Sequence, residues 1–495
     1  MACFFLAVYN LDTYPSIWLD EGIYLQPPRN LVVYGEYAVR ENGQLRRFDS
    51  FVGTGPPVLL PVAFAFRVIG MGLWQARFVT VVYLLLAASA LYKLTRQLYG
   101  SNVGLLGLGL IVASPGLGFI PLGRQVIGEV PSFFFFVLGT LAWVNATRQP
   151  PLLVLSGLAF GLAMITKNIY AVILPAGWLV LWIADRRHYR QLGFTQFLLP
   201  LLISFTCLAT WYGYQIASLG FSAFQQGISE MGASAGRSIV VFPSQQIPAN
   251  LKYLLGPNFY LALGVPGLIY NAHLTIRGTR SLPELQRAFL LMTSVVWLIW
   301  YIFASIGWSR YALPALMLTA VFVAKMILDL GSILVHFLQS KTGEQRSAVA
   351  RVVRGSGLVA IIGLLWFFPF FRTSLHEETE AMLNGNDNAA RRFAEYLTAH
   401  IAPDARIESW EWPIDFFSDQ TFHHPPPAIL DAMIRHMYLG EPYSYDMYDF
   451  EKYHPDYLIN GPFSKWTGIY PPDYLAQECT LIVSIGAYDL FRVDK

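Results

Sequence analysis

Long apolar runs separated by short charged loops fill the chain as far as residue 371. A helix needs about 20 apolar residues to cross a hydrocarbon layer of roughly 30 Å. Runs of this kind lie at 76–94, 103–120, 130–144, 152–166, 168–184, 194–214, 258–270, 288–306, 311–337 and 355–371. Residues 1–11 are apolar but too short to span, and they lack the basic start and small-residue cleavage site of a signal peptide. They read as the end of a first helix that begins upstream. With that helix, the pattern predicts about eleven membrane spans.

Residues 57–70 are ambiguous: apolar and short, opened by Pro56-Pro57, and carrying Arg67. Charge in the loops decides the matter, because short cytoplasmic loops collect Lys and Arg. If 57–70 does not span, alternate loops hold Lys93 and Arg96, then Arg148, then Arg186, Arg187 and Arg190, then Arg277, Arg280 and Arg287, then Lys341, Arg346, Arg351 and Arg354. All of these fall on one side. The segment is therefore expected to lie as a helix on the outer surface. The first loop (12–75), the loop between 122 and 129, the long loop 215–257 and the C-terminal part then face outward.

Beyond Arg372 the chain turns rich in Asp, Glu, His and Pro. Residues 388–401 have helical periodicity, with Phe393, Tyr396 and Leu397 on one face. Residues 406–410, 457–460, 480–485 and 488–493 read as short strands. The expected organisation is a membrane domain over 1–371 and a small extracytoplasmic α/β domain over 372–495.

Composition agrees with this division. Of the 495 residues, 55% are hydrophobic and 13% charged, about half the charged share of soluble domains. The net charge of +2 carries no nucleic-acid footprint. Cys3, Cys207 and Cys479 have neither metal-ligand nor redox spacing.

Carboxylates at a membrane surface are costly unless paired or used. Asp20-Glu21 sits in the first outer loop. Arg124 and Glu129 lie between two spans, Lys167 in a minimal turn between two more, and Arg310-Tyr311 at the start of another. Carboxylates converging with cations at one depth could deprotonate a hydroxyl and neutralise a phosphate leaving group. Plainer readings stand beside this one. Arg124 and Glu129 can be a loop ion pair, and Lys167 and Arg310 can be interface anchors. His423-His424 lacks ligand spacing and reads as structural or surface. The run Phe133 to Phe136 reads as lipid-facing or core.

Taken in order, these residues resemble the GT-C superfamily of integral-membrane glycosyltransferases, in the group of protein O-mannosyltransferases and lipid A aminoarabinose transferases. The resemblance rests on Asp20-Glu21, then Gly35-Glu36-Tyr37, Pro56-Pro57-Val58, Arg77 and the step from Arg124 to Glu129. It continues through Gly161-Leu162-Ala163-Met164-Ile165-Thr166-Lys167 and Arg310-Tyr311 with Pro314. One position departs: many relatives carry Lys or His before the paired prolines, where this chain has Gly55.

The resemblance implies an α-helical polytopic fold and an enzyme that moves a monosaccharide from a polyprenyl-phosphate carrier to an acceptor hydroxyl, with inversion and without ATP. It implies Asp20 as the catalytic carboxylate, with Glu21 and Glu129 as further acidic residues of the site. Lys167, Arg310, Tyr311 and Arg124 are the implied contacts to the carrier phosphate or lipid. The expected partners are that donor, a protein, glycan or lipid acceptor, and the membrane lipids of a bacterial-type plasma membrane. No cofactor or metal is expected, although related enzymes differ in their need for a metal. The rival classes are a transporter or flippase of polyprenyl-linked sugars and a non-catalytic membrane assembly protein. No inverted repeat favours the first.

Overall fold

The structure is a computed structural model that describes residues 7–256, 263–340, 376–385, 388–443 and 448–494, without the side chains of 115 and 334–340. It is mostly helical, with a small sheet near the C-terminus. The polar loop after the first segment holds helix α1 (Leu19–Tyr34) and a hairpin of β1 (Ala38–Glu41) and β2 (Gln44–Arg47). Helix α2 (Pro56–Ile69) follows, its paired prolines at the first helical positions, where their fixed φ and missing N–H cost nothing. It spans the ambiguous apolar run.

Next come α3 (Leu73–Tyr99), α4 (Ser101–Val112), α5 (Phe119–Arg124), α6 (Glu129–Asn145), α7 (Leu152–Thr166) and α8 (Tyr170–Ala184). They are followed by α9 (Phe194–Leu219), α10 (Phe221–Ala233), α11 (Ile247–Leu255), α12 (Gly264–Arg277), α13 (Leu282–Phe303) and α14 (Ser309–Ser340). Among the described residues, α3, α9, α13 and the Ser309–Ile333 part of α14 are long and apolar enough to cross a membrane. Helices α2, α4, α6 and α7 are apolar but shorter. The described helices do not settle the expected count of about eleven spans.

The expected spans correspond to helices with three differences. The run 103–120 is broken: α4 stops at Val112, and a 3₁₀ turn at Pro115–Leu117 separates it from α5. Pro115 supplies no backbone N–H and Gly116 no helical preference, so the helix cannot run through them. The run 258–270 lies partly outside the described residues, and α12 continues past it to Arg277. The run 355–371 and residues 1–6 lie outside them altogether.

The main core joins α3, α6, α7, α8, α13 and α14. Phe133 and Phe136 are fully buried in it, and Trp143, Trp178 and Phe289 pack together edge-on or tilted at centroid distances of 5.1–5.3 Å. The aromatic run is therefore core.

The C-terminal sheet runs in the order β4-β3-β5-β7-β6. Its strands are β3 (Ile407–Ser409), β4 (Phe422–His423), β5 (Tyr457–Asn460), β6 (Cys479–Ile485) and β7 (Tyr488–Val493). Strands β3, β4 and β5 are parallel, while β7 is antiparallel to both neighbours. Helix α15 (Ala389–His400) buries Phe393 and Leu397 against this sheet, as its periodicity predicts. The two-residue β4 has no alternating pattern to betray it in the sequence. His424 is buried, stacked on Trp412 at 4.0 Å and held between Asp415 (3.0 Å) and the Ser409 carbonyl (2.6 Å). His423 contacts Glu408 at 2.6 Å. Both are structural.

Helix α16 (Trp412–Phe417) seats this region directly on α1. The contact passes through Gly22, where a Cβ would stand 2.5 Å from the Pro413 nitrogen. Only glycine allows that approach, one residue after the acidic pair.

Candidate active site

Asp20 and Glu21 lie in the first turn of α1, not in a loop. A helix start suits carboxylates, because its exposed N–H groups carry partial positive charge. Successive helical residues point about 100° apart, so the two side chains part company at once. Glu21 turns inward, about 1% exposed, and takes two bonds from Arg77, at 2.8 Å from Nε and 2.6 Å from Nη2. It also accepts the Val126 N–H at 3.0 Å. Arg77 completes its own bonding on the Leu11 carbonyl at 2.9 Å. Glu21 is therefore a buried structural anchor that ties α1, α3 and the strand of chain before α6 together.

Asp20 faces a cavity of about 480 Å³. Arg310, in the first turn of α14, donates to its Oδ2 at 2.6 Å. The same guanidinium stands 3.6 Å from Glu129, at the start of α6. Lys167 stands 3.0 Å from that carboxylate. It leaves α7 in an extended conformation, which stops the helix and turns its side chain into the cavity. Two carboxylates and two cations thus alternate along one wall. Lys167 and Glu129 are close but off the hydrogen-bonding direction, and the buried Glu129 oxygens and Arg310 Nε have no bonded partner among the described residues. Buried groups held this way are able to take a polar ligand.

Aromatic rings line the rest of the site. Trp308 lies under the Arg310 guanidinium at 4.6 Å, and Tyr24 faces Lys167 at 5.9 Å. Burial, and then the Asp20 carboxylate, push the Tyr24 phenol well above its ordinary pKa, so it remains a hydrogen-bond donor. Tyr311 also lines the cavity, and its hydroxyl donates to the Gly236 carbonyl at 3.0 Å.

Gly55 explains the departure before the paired prolines. Its N–H donates to the Thr166 carbonyl at 3.0 Å, and a Cβ there would stand 1.9 Å from the Ile165 carbonyl oxygen. The end of α7, carrying Lys167, occupies the room that a longer side chain would need.

The structure brings together Asp20, Glu129, Lys167, Arg310 and Tyr311. It does not bring Glu21 or Arg124 to the cavity. Arg124 is buried elsewhere, bonded to the Tyr14 carbonyl from Nε at 3.1 Å and from Nη2 at 2.9 Å. Glu129 pairs with Lys167 and Arg310 instead of Arg124.

Sequence reasoning passed over Arg237. Its guanidinium lies over Phe51 at 4.2 Å, donates to Ser50 at 3.1 Å, and lines the same cavity. Burial lowers its pKa, against the pull of Asp49, Asp431 and Glu230. An arginine in the long loop expected to face outward runs against the positive-inside trend, as Lys167 and Arg310 would, and that was the available signal. Among the described residues, no group of three or more His, Cys, Asp or Glu is placed to hold a metal ion.

Known proteins resemble the chain in two ways. The profile of the family described as dolichyl-phosphate-mannose-protein mannosyltransferase matches residues 55–214. The apo crystal structure of ArnT from Cupriavidus metallidurans superposes with a TM-score of 0.67 at 13% identity, covering 99% of this chain and 96% of that one. The same protein bound to undecaprenyl phosphate gives 0.63 at 14% identity, with the same coverage. The oligosaccharyltransferase AglB from Archaeoglobus fulgidus, in complex with an inhibitory peptide and a dolichol-phosphate, gives 0.55 at 13% identity, covering 92% of this chain and 68% of that one. No curated protein matches by sequence. The architecture is that of the GT-C glycosyltransferases.

Proposed function

On the frame of that fold, we propose that the chain transfers a monosaccharide from a polyprenyl-phosphate carrier to an acceptor hydroxyl. The observation that carries the reading is the meeting of Asp20, Glu129, Lys167 and Arg310, from four separate elements, on one cavity wall.

The chemistry follows from these side chains. The donor phosphate competes for Arg310 and draws it from Asp20. The released carboxylate accepts the proton of the acceptor hydroxyl. The acceptor oxygen bonds to the anomeric carbon from the face opposite the phosphate. The carbon–phosphate-oxygen bond breaks, and the carrier leaves as the polyprenyl phosphate, with inversion. Arg310, Lys167 and Arg237 neutralise the charge that gathers on it. Glu129 holds both cations in place and orients a donor hydroxyl. Glu21 supports Asp20 without touching substrate. The neighbour holding undecaprenyl phosphate supports the carrier class. The site gathers at one end of α7, α8 and α14, unlike the mid-membrane charges of a transporter.

Binding of undecaprenyl phosphate to the purified protein tests the phosphate site. Charge-assisted hydrogen bonds contribute about 1.5–3 kcal/mol each, so Lys167→Ala or Arg310→Ala should weaken binding roughly ten- to a hundredfold. Arg310→Lys should cost less than Arg310→Ala, because it keeps the charge and loses only the forked geometry. Unchanged affinity in both alanine variants would reduce the two residues to interface anchors and remove the reading.

Sidedness follows from the loop charges. The site and the C-terminal sheet should lie outside the cytoplasm, opposite Arg186, Arg187, Arg190, Arg277 and Arg280. A reporter active only outside the cytoplasm, fused after Lys495, should give signal. A signal from a cytoplasm-only reporter at that position would invert the orientation.

A further inference from the structure

Helix α10 buries none of its residues, yet Phe224, Gly227 and Met231 form part of the cavity wall. It leaves α9 through Gly220, which has a φ of 82°. Its own packing does little to hold it. After Ala233 the chain turns sharply and presents Arg237 to the cavity.

What holds this turn comes from the C-terminal region. Helix α17 (Pro427–Ile434) lays Leu430, Asp431 and Ile434 along the cavity. Asp431 accepts the Ala235 N–H at 2.7 Å. Arg435, paired with Asp431 at 3.2 Å, donates to the Ala233 carbonyl at 2.6 Å. Its other terminal nitrogen reaches Glu441 at 2.9 Å. Ile434 sits so close to Gly236 that a Cβ there would stand 2.9 Å from its Cδ1. From α14, Tyr311 donates to the Gly236 carbonyl. Residues 233, 235 and 236 are thus held by contacts from the C-terminal region, and 236 also from α14, directly before Arg237. Ser234, Ala235 and Gly236 are buried, and Arg237 is partly buried.

We propose that Asp431 and Arg435 are positioning residues: they clamp the turn that aims Arg237, so the C-terminal region sets the affinity of the cavity for the phosphate of a polyprenyl carrier. The proposal rests on the donor reading above. It gives the C-terminal region a part in the reaction without contact to the reacting atoms. It also makes the cavity depend on how α17 is seated, since its clamp is the bond between this wall and the C-terminal sheet.

The experiment measures undecaprenyl phosphate binding to the full chain and a set of variants, each checked by thermal unfolding. Arg237→Gln should weaken binding about tenfold or more, the loss expected for a charge-assisted contact. Asp431→Ala should weaken it severalfold, and Arg435→Gln likewise. Asp431→Asn keeps an oxygen that can accept the Ala235 N–H, so it should recover much of the loss. The deciding result is the double variant Asp431→Ala with Arg237→Gln. If Asp431 acts through Arg237, the double variant binds no worse than Arg237→Gln alone. Losses that multiply independently would overturn the proposal, as would wild-type affinity in Asp431→Ala. A wild-type protein that does not bind undecaprenyl phosphate would instead overturn the donor reading beneath it.

Discussion

Asp20→Asn should lower turnover by about 10²–10⁴-fold, the usual contribution of a general base, while undecaprenyl phosphate binding stays close to that of the wild type. The substitution is nearly isosteric and leaves an oxygen that can still accept from Arg310, so the wall should keep its shape. What it removes is the charged carboxylate basic enough to take the acceptor's proton. Asp20 is the one carboxylate of the acidic pair that faces the cavity, about a quarter exposed with its side chain 24% accessible, whereas Glu129 is 4% accessible and engaged by two cations. Measuring kcat and carrier affinity on the same preparation separates chemistry from binding. Near-normal kcat in Asp20→Asn would pass the base to Glu129, because Glu21 does not reach the cavity.

Breaking the Glu21–Arg77 pair should be the most damaging change to stability. Both side chains are buried, at 1% and 0% exposure, and each satisfies the other's charge. Removing one partner leaves an unpaired charge in a dry interior, which costs about 3–5 kcal/mol. Arg77→Met should therefore lower the unfolding temperature strongly. The double variant Glu21→Gln with Arg77→Met should recover a substantial part of the loss, because the orphaned charge is gone. The pair also reaches the Val126 N–H, three residues before Glu129, so residual turnover in Arg77→Met should fall with the geometry of both carboxylates. If Arg77→Met melts like the wild type, the pair is not the anchor its geometry indicates.

These two carboxylates show where reading a sequence runs out. Adjacent, alike and in one motif, Asp20 and Glu21 offer no local feature that separates their roles. Rotation of about 100° per helical residue separates them, and that matters only once α1 has a packed side and a cavity side. Arg124 and Glu129 were open to reading as a loop ion pair, since five residues can close one. In the folded chain Arg124 instead satisfies main-chain carbonyls near Tyr14, and Glu129 meets Lys167 and Arg310. Gly55, a mere departure by sequence, is required because the α7 terminus comes too close for any Cβ.

Most of the described apolar helices, the change of character past residue 372 and most of the C-terminal strands are legible in the chain alone, and the order of its polar residues resembles that of the GT-C glycosyltransferases. The helices and strands follow from periodicity, burial and charge, which act over one or two helical turns and are written locally, whereas the order of polar residues is read only through its resemblance to a known family. Which cations face which carboxylates, that Arg237 joins the cavity, and that Asp431 and Arg435 bond to the turn before it emerge only from the packing of whole elements. Those contacts join residues up to 290 positions apart, as Asp20 and Arg310 are. No local pattern encodes such a pairing, because it depends on how whole elements pack and on which buried charge is closest once they have.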